Sequence, residues 1–178
     1  ITEDKCFKIM SDKDMLFNAD GNSQMIASNK VLGQAIPYAG DFGTTNPESF
    51  ASDLFRSYFV DRTRGKVCRL SKDGITPISS AGMHDWFSDN LRVKNGVRLK
   101  TIVGTFDTRK SLYNVTINRQ IYSTHGSPSF LAYDDPYTLS YSETSKGWIS
   151  FKSYYSLDGT IKYPLESGLS INNDFYTF

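Results

Sequence analysis

The feature that most constrains the fold of this sequence is a β-hairpin at residues 55–71. Strand-like residues 55–60 lead into the polar turn Asp61-Arg62-Thr63-Arg64-Gly65, and polar and apolar residues then alternate over 66–71. Alternation with period two is typical of a strand with one buried face. Two further hairpins are predicted, with turns at residues 107–110 and 143–147. A chain organised in this way is expected to fold mainly as antiparallel β-hairpins.

One segment departs from the β pattern. Four of its apolar residues fall at i, i+3, i+4 and i+8, which places them on one face of a helix: Met83, Trp86, Phe87 and Leu91. This spacing predicts one short helix within residues 80–91. We expect Ser80 or Gly82 to cap its start and Asn95-Gly96 to end it.

The hairpin turns recur along the chain in a way that suggests a propeller. They open at Asp61, Asp107 and Glu143, intervals of roughly 40 residues, and four-stranded propeller blades have about that period. The predicted fold is therefore all-β and propeller-like with one short helix, and part of a larger fold. We expect an N-terminal β segment at residues 1–36 and a propeller-like region, incomplete as a ring, at residues 37–178.

The two ends of the chain add an expectation about its origin. The sequence begins at Ile1 and ends at Phe178 within an aromatic, strand-like run. An unpaired apolar strand at an edge invites aggregation. This favours either a processed piece of a longer chain or an edge that a partner covers.

Charge and composition exclude several classes of protein. Twenty Lys+Arg stand against 19 Asp+Glu, and this balance argues against a polybasic nucleic-acid module. Aromatic residues make up 14% of the chain, which argues against disorder. No apolar run is long enough for membrane insertion. Two cysteines, Cys6 and Cys68, are too few for a disulfide scaffold, and a single bridge between them stays open.

No catalytic, cofactor or metal site is predicted. His84 and His125 are far apart in sequence, and adjacent helical positions such as His84 and Asp85 are not expected to face each other. The sequence has no nucleophile elbow and no phosphate-binding loop. Three acidic residues lack the spacing of a calcium loop and are interpreted as a solvated turn: Asp12, Asp14 and Asp20. We therefore expect that the chain is not an enzyme and carries no cofactor.

The first hairpin carries a basic cluster that is the candidate interface or phosphate contact: Arg56, Arg62, Arg64, Lys66 and Arg69. One interpretation is a solvated hairpin whose arginines pair with Asp61 or Asp73. The other is a positive lip that contacts DNA phosphates or an acidic partner.

Several runs of the sequence together resemble a known family. They are Asn46-Pro47-Glu48-Ser49-Phe50, residues 56–75, Gly104-x-Phe106-Asp107 with the strand after it, residues 139–154 and residues 173–178. These runs are similar to the large tail proteins of crAss-like, short-tailed bacteriophages, which are called tail stabilisation, nozzle or muzzle proteins. The resemblance covers roughly residues 40–178, and the family members are much longer than this chain.

The resemblance implies a structural role in the virion tail. Proteins of this family form a ring at the distal end of the tail, close the channel until infection and then permit DNA ejection. They contain propeller-like β domains. The implied partners are the tail hub, further copies of the chain and the remaining part of the same precursor, with transient contact to packaged DNA. Assembly would take place in the host cytoplasm.

Two alternatives remain open at the level of sequence. The first is a carbohydrate- or receptor-binding β module, in which exposed aromatic residues stack on sugars: Tyr137, Trp148, Tyr154 and Tyr155. The second is a glycoside hydrolase on a propeller, which needs two carboxylates that converge in a cleft. No particular pair of carboxylates is favoured by the sequence.

Overall fold

The computed structural model of the chain describes residues 1–9, 14–17, 23–26, 32–92, 97–122, 131–154 and 165–178. Within those residues the protein is mostly β, with one α-helix, α1 (His84–Leu91), and two 3-10 helices, Pro47–Ser49 and Ile78–Ser80. The predicted all-β class with one short helix is confirmed. The strands are β1 (Phe7–Ile9), β2 (Asp14–Phe17), β3 (Ser23–Ile26), β4 (Ala35–Pro37), β5 (Ala51–Ser52), β6 (Ser57–Asp61), β7 (Lys66–Ser71), β8 (Gly74–Pro77), β9 (Val97–Asp107), β10 (Leu112–Tyr122), β11 (Leu131–Ser142), β12 (Gly147–Lys152), β13 (Gly168–Ile171) and β14 (Asp174–Thr177).

The first four-stranded sheet contains the hairpin on which the fold prediction was based. Its strands follow the chain order β5-β6-β7-β8, and every neighbouring pair is antiparallel. The hairpin β6–β7 is confirmed, with Asp61 paired to Lys66 at its turn. The Pro, Gly, Asn, Ser and Thr residues of 37–53 favour a loop, but this segment includes a 3-10 helix and strand β5. Ala51 of β5 pairs with Tyr58, so the edge of the sheet orders this segment.

The second four-stranded sheet joins the other two predicted hairpins. Its order is β9-β10-β11-β12, and β10 pairs with β9 on one side and β11 on the other. The second and third hairpins therefore belong to one sheet and not to separate blades. The sequence pattern of residues 116–128 favours an irregular segment, but β10 continues to Tyr122 with a register shift after Asn118. Hydrogen bonding of β10 to β9 on one side and to β11 on the other orders this segment, although its local sequence pattern is weak.

The main core lies between the two sheets. Its buried side chains come from both sheets, helix α1 and the 3-10 helix before it: Tyr58, Val60, Val67, Ile78, Phe87, Leu91, Ile102, Tyr113, Val115, Ile117, Leu139 and Tyr141. Neighbouring propeller blades stack in this way, and so do the two sheets of a β-sandwich. The propeller interpretation therefore stays a prediction.

The opposite face of the first sheet is covered by the N-terminal segment. Tyr58 lies in the main core, whereas Phe59 faces the other way and forms a second buried cluster with Cys6 and Cys68, as period-two alternation requires. Both cysteines are free thiols. Strand β1 pairs with β4, so the expected division between residues 36 and 37 falls inside a strand of this ladder, and that division stays a prediction.

The opposite face of the second sheet is polar but buried. Asn114, Thr116 and Asn118 alternate with apolar residues along β10, and all three are buried. The C-terminal hairpin β13–β14 packs against β9, where Gly168 lies beside Thr105. Just before this hairpin, the Leu165 carbonyl accepts a 3.2 Å hydrogen bond from the Asn118 amide. A polar sheet face usually meets water, so this sheet differs from the usual arrangement.

The helix is shorter than the sequence suggested. Helix α1 begins at His84, and the N-cap position is held by Met83, not by Ser80 or Gly82. Ser80 closes a 3-10 helix, and Gly82 has φ +80°, which no right-handed helix contains. The helix ends at Leu91. The predicted helix stop at Asn95-Gly96 lies outside the described residues. The same holds for two further segments in which the sequence favours a turn, Asp20-Gly21-Asn22 and Asp158-Gly159.

Candidate interface

The basic cluster of the first hairpin is divided by the fold into separate groups. Three of its arginines form ion pairs with carboxylates. Arg64 contacts Asp61 at 3.1 Å, as one interpretation of the sequence expected. Arg56 and Arg69 pair with Glu143, at 3.6 and 2.9 Å, and not with Asp73. Much of the positive charge of the hairpin is therefore neutralised within the protein.

The other two members of the cluster take different positions. The ammonium of Lys66 lies 5.4 Å from the centre of the Phe42 ring, a cation–π contact. Arg62 lines a surface cleft together with Thr45, Thr63 and Arg92. Arg62 and Arg92 thus share one cleft, and the phosphate contact of the cluster stays a prediction. Arg92 follows helix α1 and was missed because it is distant in sequence.

Glu143 is the centre of a polar junction between the two sheets. Its side chain is only 13% exposed, and it accepts a hydrogen bond of 2.8 Å from the Tyr58 hydroxyl. Burial raises the pKa of Tyr58 above its ordinary range, and the contact with Glu143 raises it further. Burial alone would lower the pKa of Arg56, but Glu143 and Asp53 outweigh this and raise it. The junction therefore favours a protonated Tyr58 hydroxyl and the charged form of Arg56.

Next to this junction, a hydrogen-bonded turn exposes two large apolar side chains. Leu54 is 92% exposed and Phe55 is 79% exposed. The Asp53 carboxylate accepts hydrogen bonds from the backbone N–H of Phe55 and of Arg56, at 2.7 and 2.6 Å. Side-chain acceptors of this kind stabilise tight turns. We call Leu54 and Phe55 the apolar tip.

Clefts flank the apolar tip on both sides. One of about 500 Å³ reaches Phe106 and the turns of the second sheet, and one of about 340 Å³ reaches Arg69 and Lys72. An apolar projection between polar clefts can insert into a partner while the rim forms hydrogen bonds. Exposed anchors of this type are characteristic of protein–protein contacts.

Large apolar side chains are also exposed elsewhere on the surface. They lie on the β1–β4 ladder, on edge strand β12 and on the outer face of the C-terminal hairpin: Phe7, Ile9, Ile36, Ile149, Phe151, Leu169, Ile171, Tyr176 and Phe178. Single exposed apolar residues are normal, but groups of them mark interaction surfaces. Sequence reasoning missed these groups because alternation does not reveal which face of a strand is covered.

The aromatic residues suggested for sugar stacking have different environments. Trp148 packs against the main core, where its ring N–H donates to the Ile78 carbonyl at 3.1 Å, and Tyr137 packs there as well. Tyr154 lines a cleft beside the C-terminal hairpin. Tyr155 lies outside the described residues. A sugar-stacking role is therefore compatible with Tyr154 but not with the packed ring of Trp148.

The predicted relation between His84 and Asp85 was wrong. The His84 Nδ1 and an Asp85 carboxylate oxygen are 3.0 Å apart, because both side chains are exposed at the first turn of α1 and can bend toward each other. His125 lies outside the described residues, as do Asp12 and Asp20. Within the described ranges, no three His, Cys, Asp or Glu side chains are grouped to hold a metal ion.

No family model matches the chain, and no curated protein matches it. In the part of the chain that the structure describes, no helix has both the length and the apolar character needed to cross a membrane.

Proposed function

We propose that this chain is a structural component of a bacteriophage tail. It would form part of the distal nozzle or muzzle ring that closes the tail channel and permits DNA ejection. Its partners would be further copies of itself, the tail hub and the rest of its precursor, within the virion. The proposal rests on the sequence resemblance together with the exposed apolar surface of the fold.

The observation that carries this proposal is the apolar tip. Leu54 and Phe55 are almost fully exposed on a turn that Asp53 holds in place. Exposure of two large apolar side chains has a free-energy cost of roughly 1.5–3 kcal/mol each, which burial in a partner would recover. An apolar anchor on a hydrogen-bonded turn suits a component that works by being assembled and not by chemistry.

A first experiment tests assembly. Light scattering over a range of concentrations should show self-association of the chain, and the double change Leu54→Ser and Phe55→Ser should weaken it at least tenfold. Leu32→Ser is the matched control, because Leu32 is also exposed but lies away from the tip. A chain that stays monomeric at every concentration would contradict the assembly role.

A second experiment tests the place of assembly. Antibodies raised against this chain, carried on gold particles, should label the distal end of the tail on purified virions that encode it. Label on the capsid alone, or virions that lack the polypeptide by mass spectrometry, would overturn the assignment to the tail while leaving self-association intact.

A further inference from the structure

The cleft that Tyr154 lines lies between the end of the second sheet and the C-terminal hairpin, and the apolar tip is not part of its lining. Its volume is about 560 Å³. Charged and aromatic side chains line it together: Asp107, Arg109, Lys110, Lys152, Tyr154 and Phe175. Small-molecule sites have this combination of concave shape, ring faces and a few polar groups.

The most distinctive group in this cleft is the half-buried Lys152. Its ammonium donates a 3.0 Å hydrogen bond to Asn114 Oδ1, which is a neutral acceptor. Burial lowers the pKa of Lys152 and the nearby Lys110 lowers it further, whereas Asp107 acts in the opposite direction. A positive charge held in this way is only partly compensated by the protein. An anion that entered the cleft would place a compensating negative charge next to the Lys152 ammonium.

The lining of the cleft has more cations than carboxylates, since Lys152, Arg109 and Lys110 stand against Asp107 and Asp174. The Asp107 carboxylate already accepts the Lys110 backbone N–H at 3.1 Å. Asp174 faces Arg109 across 3.7 Å, and both side chains are more than half exposed. Exposed pairs of this kind are weak and can be exchanged for a ligand. Arg109 and Lys110 are therefore able to assist Lys152 in binding an anionic group.

The aromatic side chains beside the cations indicate which class of anionic ligand fits the cleft. Tyr154 is half-buried next to Lys152, and Phe175 comes from the C-terminal hairpin. Aromatic faces pack well against the apolar face of a sugar ring. We propose that this cleft binds an acidic saccharide, with the sugar carboxylate held by Lys152 and the sugar ring packed against Tyr154 and Phe175. This site does not depend on the proposed role in a phage tail.

The test uses the whole chain and sodium glucuronate as the probe. Saturation-transfer NMR should show saturable binding of glucuronate but not of glucose, which has the same ring without the carboxylate. Lys152→Met should weaken the binding about tenfold, because a charge-assisted hydrogen bond is lost. Lys72→Met is the matched control and should leave it unchanged, since Lys72 is exposed on the first sheet.

Further measurements keep the test decisive. Arg109→Gln changes an exposed residue and should weaken binding several-fold, which gives a second reading if Lys152→Met does not fold. Inorganic phosphate should compete with glucuronate but bind more weakly, because it lacks the ring. Phosphate binding without glucuronate binding, equal binding to glucose, or undiminished affinity in Lys152→Met and Arg109→Gln would overturn the proposal.

Discussion

At the scale of single residues, burial determines which polar groups contribute most to stability. Tyr113 lies at the centre of the main core, and its hydroxyl donates a 2.8 Å hydrogen bond to the Ser49 carbonyl. The adjacent position of Gly104 allows this approach, because a Cβ there would lie only 1.9 Å from the same carbonyl oxygen. Two runs that carried the family resemblance, residues 46–50 and 104–107, therefore pack directly on each other.

The first prediction concerns stability at high pH. Burial raises the pKa of Tyr113 above its ordinary value, and Cys68 adds to this effect. Tyr113 in the unfolded chain loses its proton near pH 10 while the folded chain keeps it, so its contribution to stability is complete below about pH 10 and is lost as the pH rises further. Tyr113→Phe should remove the contribution of this tyrosine to the fall in the free energy of unfolding above pH 10, which is up to about 1.4 kcal/mol per pH unit.

Denaturant unfolding between pH 8 and 11 measures this effect. The free energy of unfolding of Tyr113→Phe should start lower at pH 8, because the hydrogen bond to Ser49 is lost, and then fall less steeply than that of the parent. Tyr176→Phe is the matched control for the same substitution at a tyrosine with an exposed ring. Parallel slopes for Tyr113→Phe and the parent would show that this tyrosine does not titrate on unfolding.

At the scale of elements, three hairpin turns share one geometry. In each hairpin, the side chain of the residue before the turn accepts a hydrogen bond from the backbone N–H three residues later. These bonds join Asp61 to Arg64, Asp107 to Lys110 and Ser142 to Ser145. The last residue of each turn has positive φ: Gly65 at +63°, Ser111 at +52° and Lys146 at +49°. The equivalent opening residue of the third turn is thus Ser142, one residue before the expected Glu143.

The second prediction follows from this shared geometry. Gly65 adopts a left-handed conformation without a steric penalty, whereas Ser111 is strained at the same position. Ser111→Gly should raise the free energy of unfolding by roughly 0.5–1 kcal/mol. Thermal and denaturant unfolding measure the change. Ser145→Gly is the matched control: its φ is not positive, so the same substitution should lower stability, and equal effects at both sites would exclude the turn geometry as the cause.

At the scale of the whole molecule, Glu143 connects the two sheets. It accepts hydrogen bonds from Tyr58 and Arg69 of the first sheet, which lie 85 and 74 residues away along the chain. Glu143 lies in the turn after β11, and this turn brings the Glu143 carboxylate to the first sheet. Packing between sheets therefore includes one partly buried charge cluster beside the apolar core.

The third prediction tests this junction. Glu143→Ala should lower the free energy of unfolding by about 2–3 kcal/mol, because the Tyr58 hydroxyl and Arg69 lose their hydrogen-bond partner in a largely buried site, while Arg56 keeps only Asp53. Glu48→Ala, at an exposed carboxylate in a 3-10 helix, should change it by less than about 0.5 kcal/mol. Denaturant unfolding at neutral pH compares the two. A cost for Glu143→Ala no larger than that for Glu48→Ala would mean that the sheets hold together without the charge cluster.

Whether a contact of the candidate interface could be predicted depends on how far apart its residues are in the sequence. The Arg64–Asp61 pair lies within one turn and was expected, because its partners are three residues apart. The pairing of Arg56 and Arg69 with Glu143 was not, because it depends on how two sheets stack. The exposure of Leu54 and Phe55 was also unexpected, since composition alone does not distinguish a buried apolar pair from an exposed one.

The amino-acid sequence by itself determined the hairpins, their turns and the presence of one helix, because period-two alternation and turn chemistry act over a few residues. Only the tertiary structure decided that the second and third hairpins share a sheet, that the polar face of that sheet is buried and that Lys152 lies in a cleft with aromatic rings. These features arise from contacts between segments far apart in the chain. The free energy of such contacts depends on burial and on partners that no local pattern specifies.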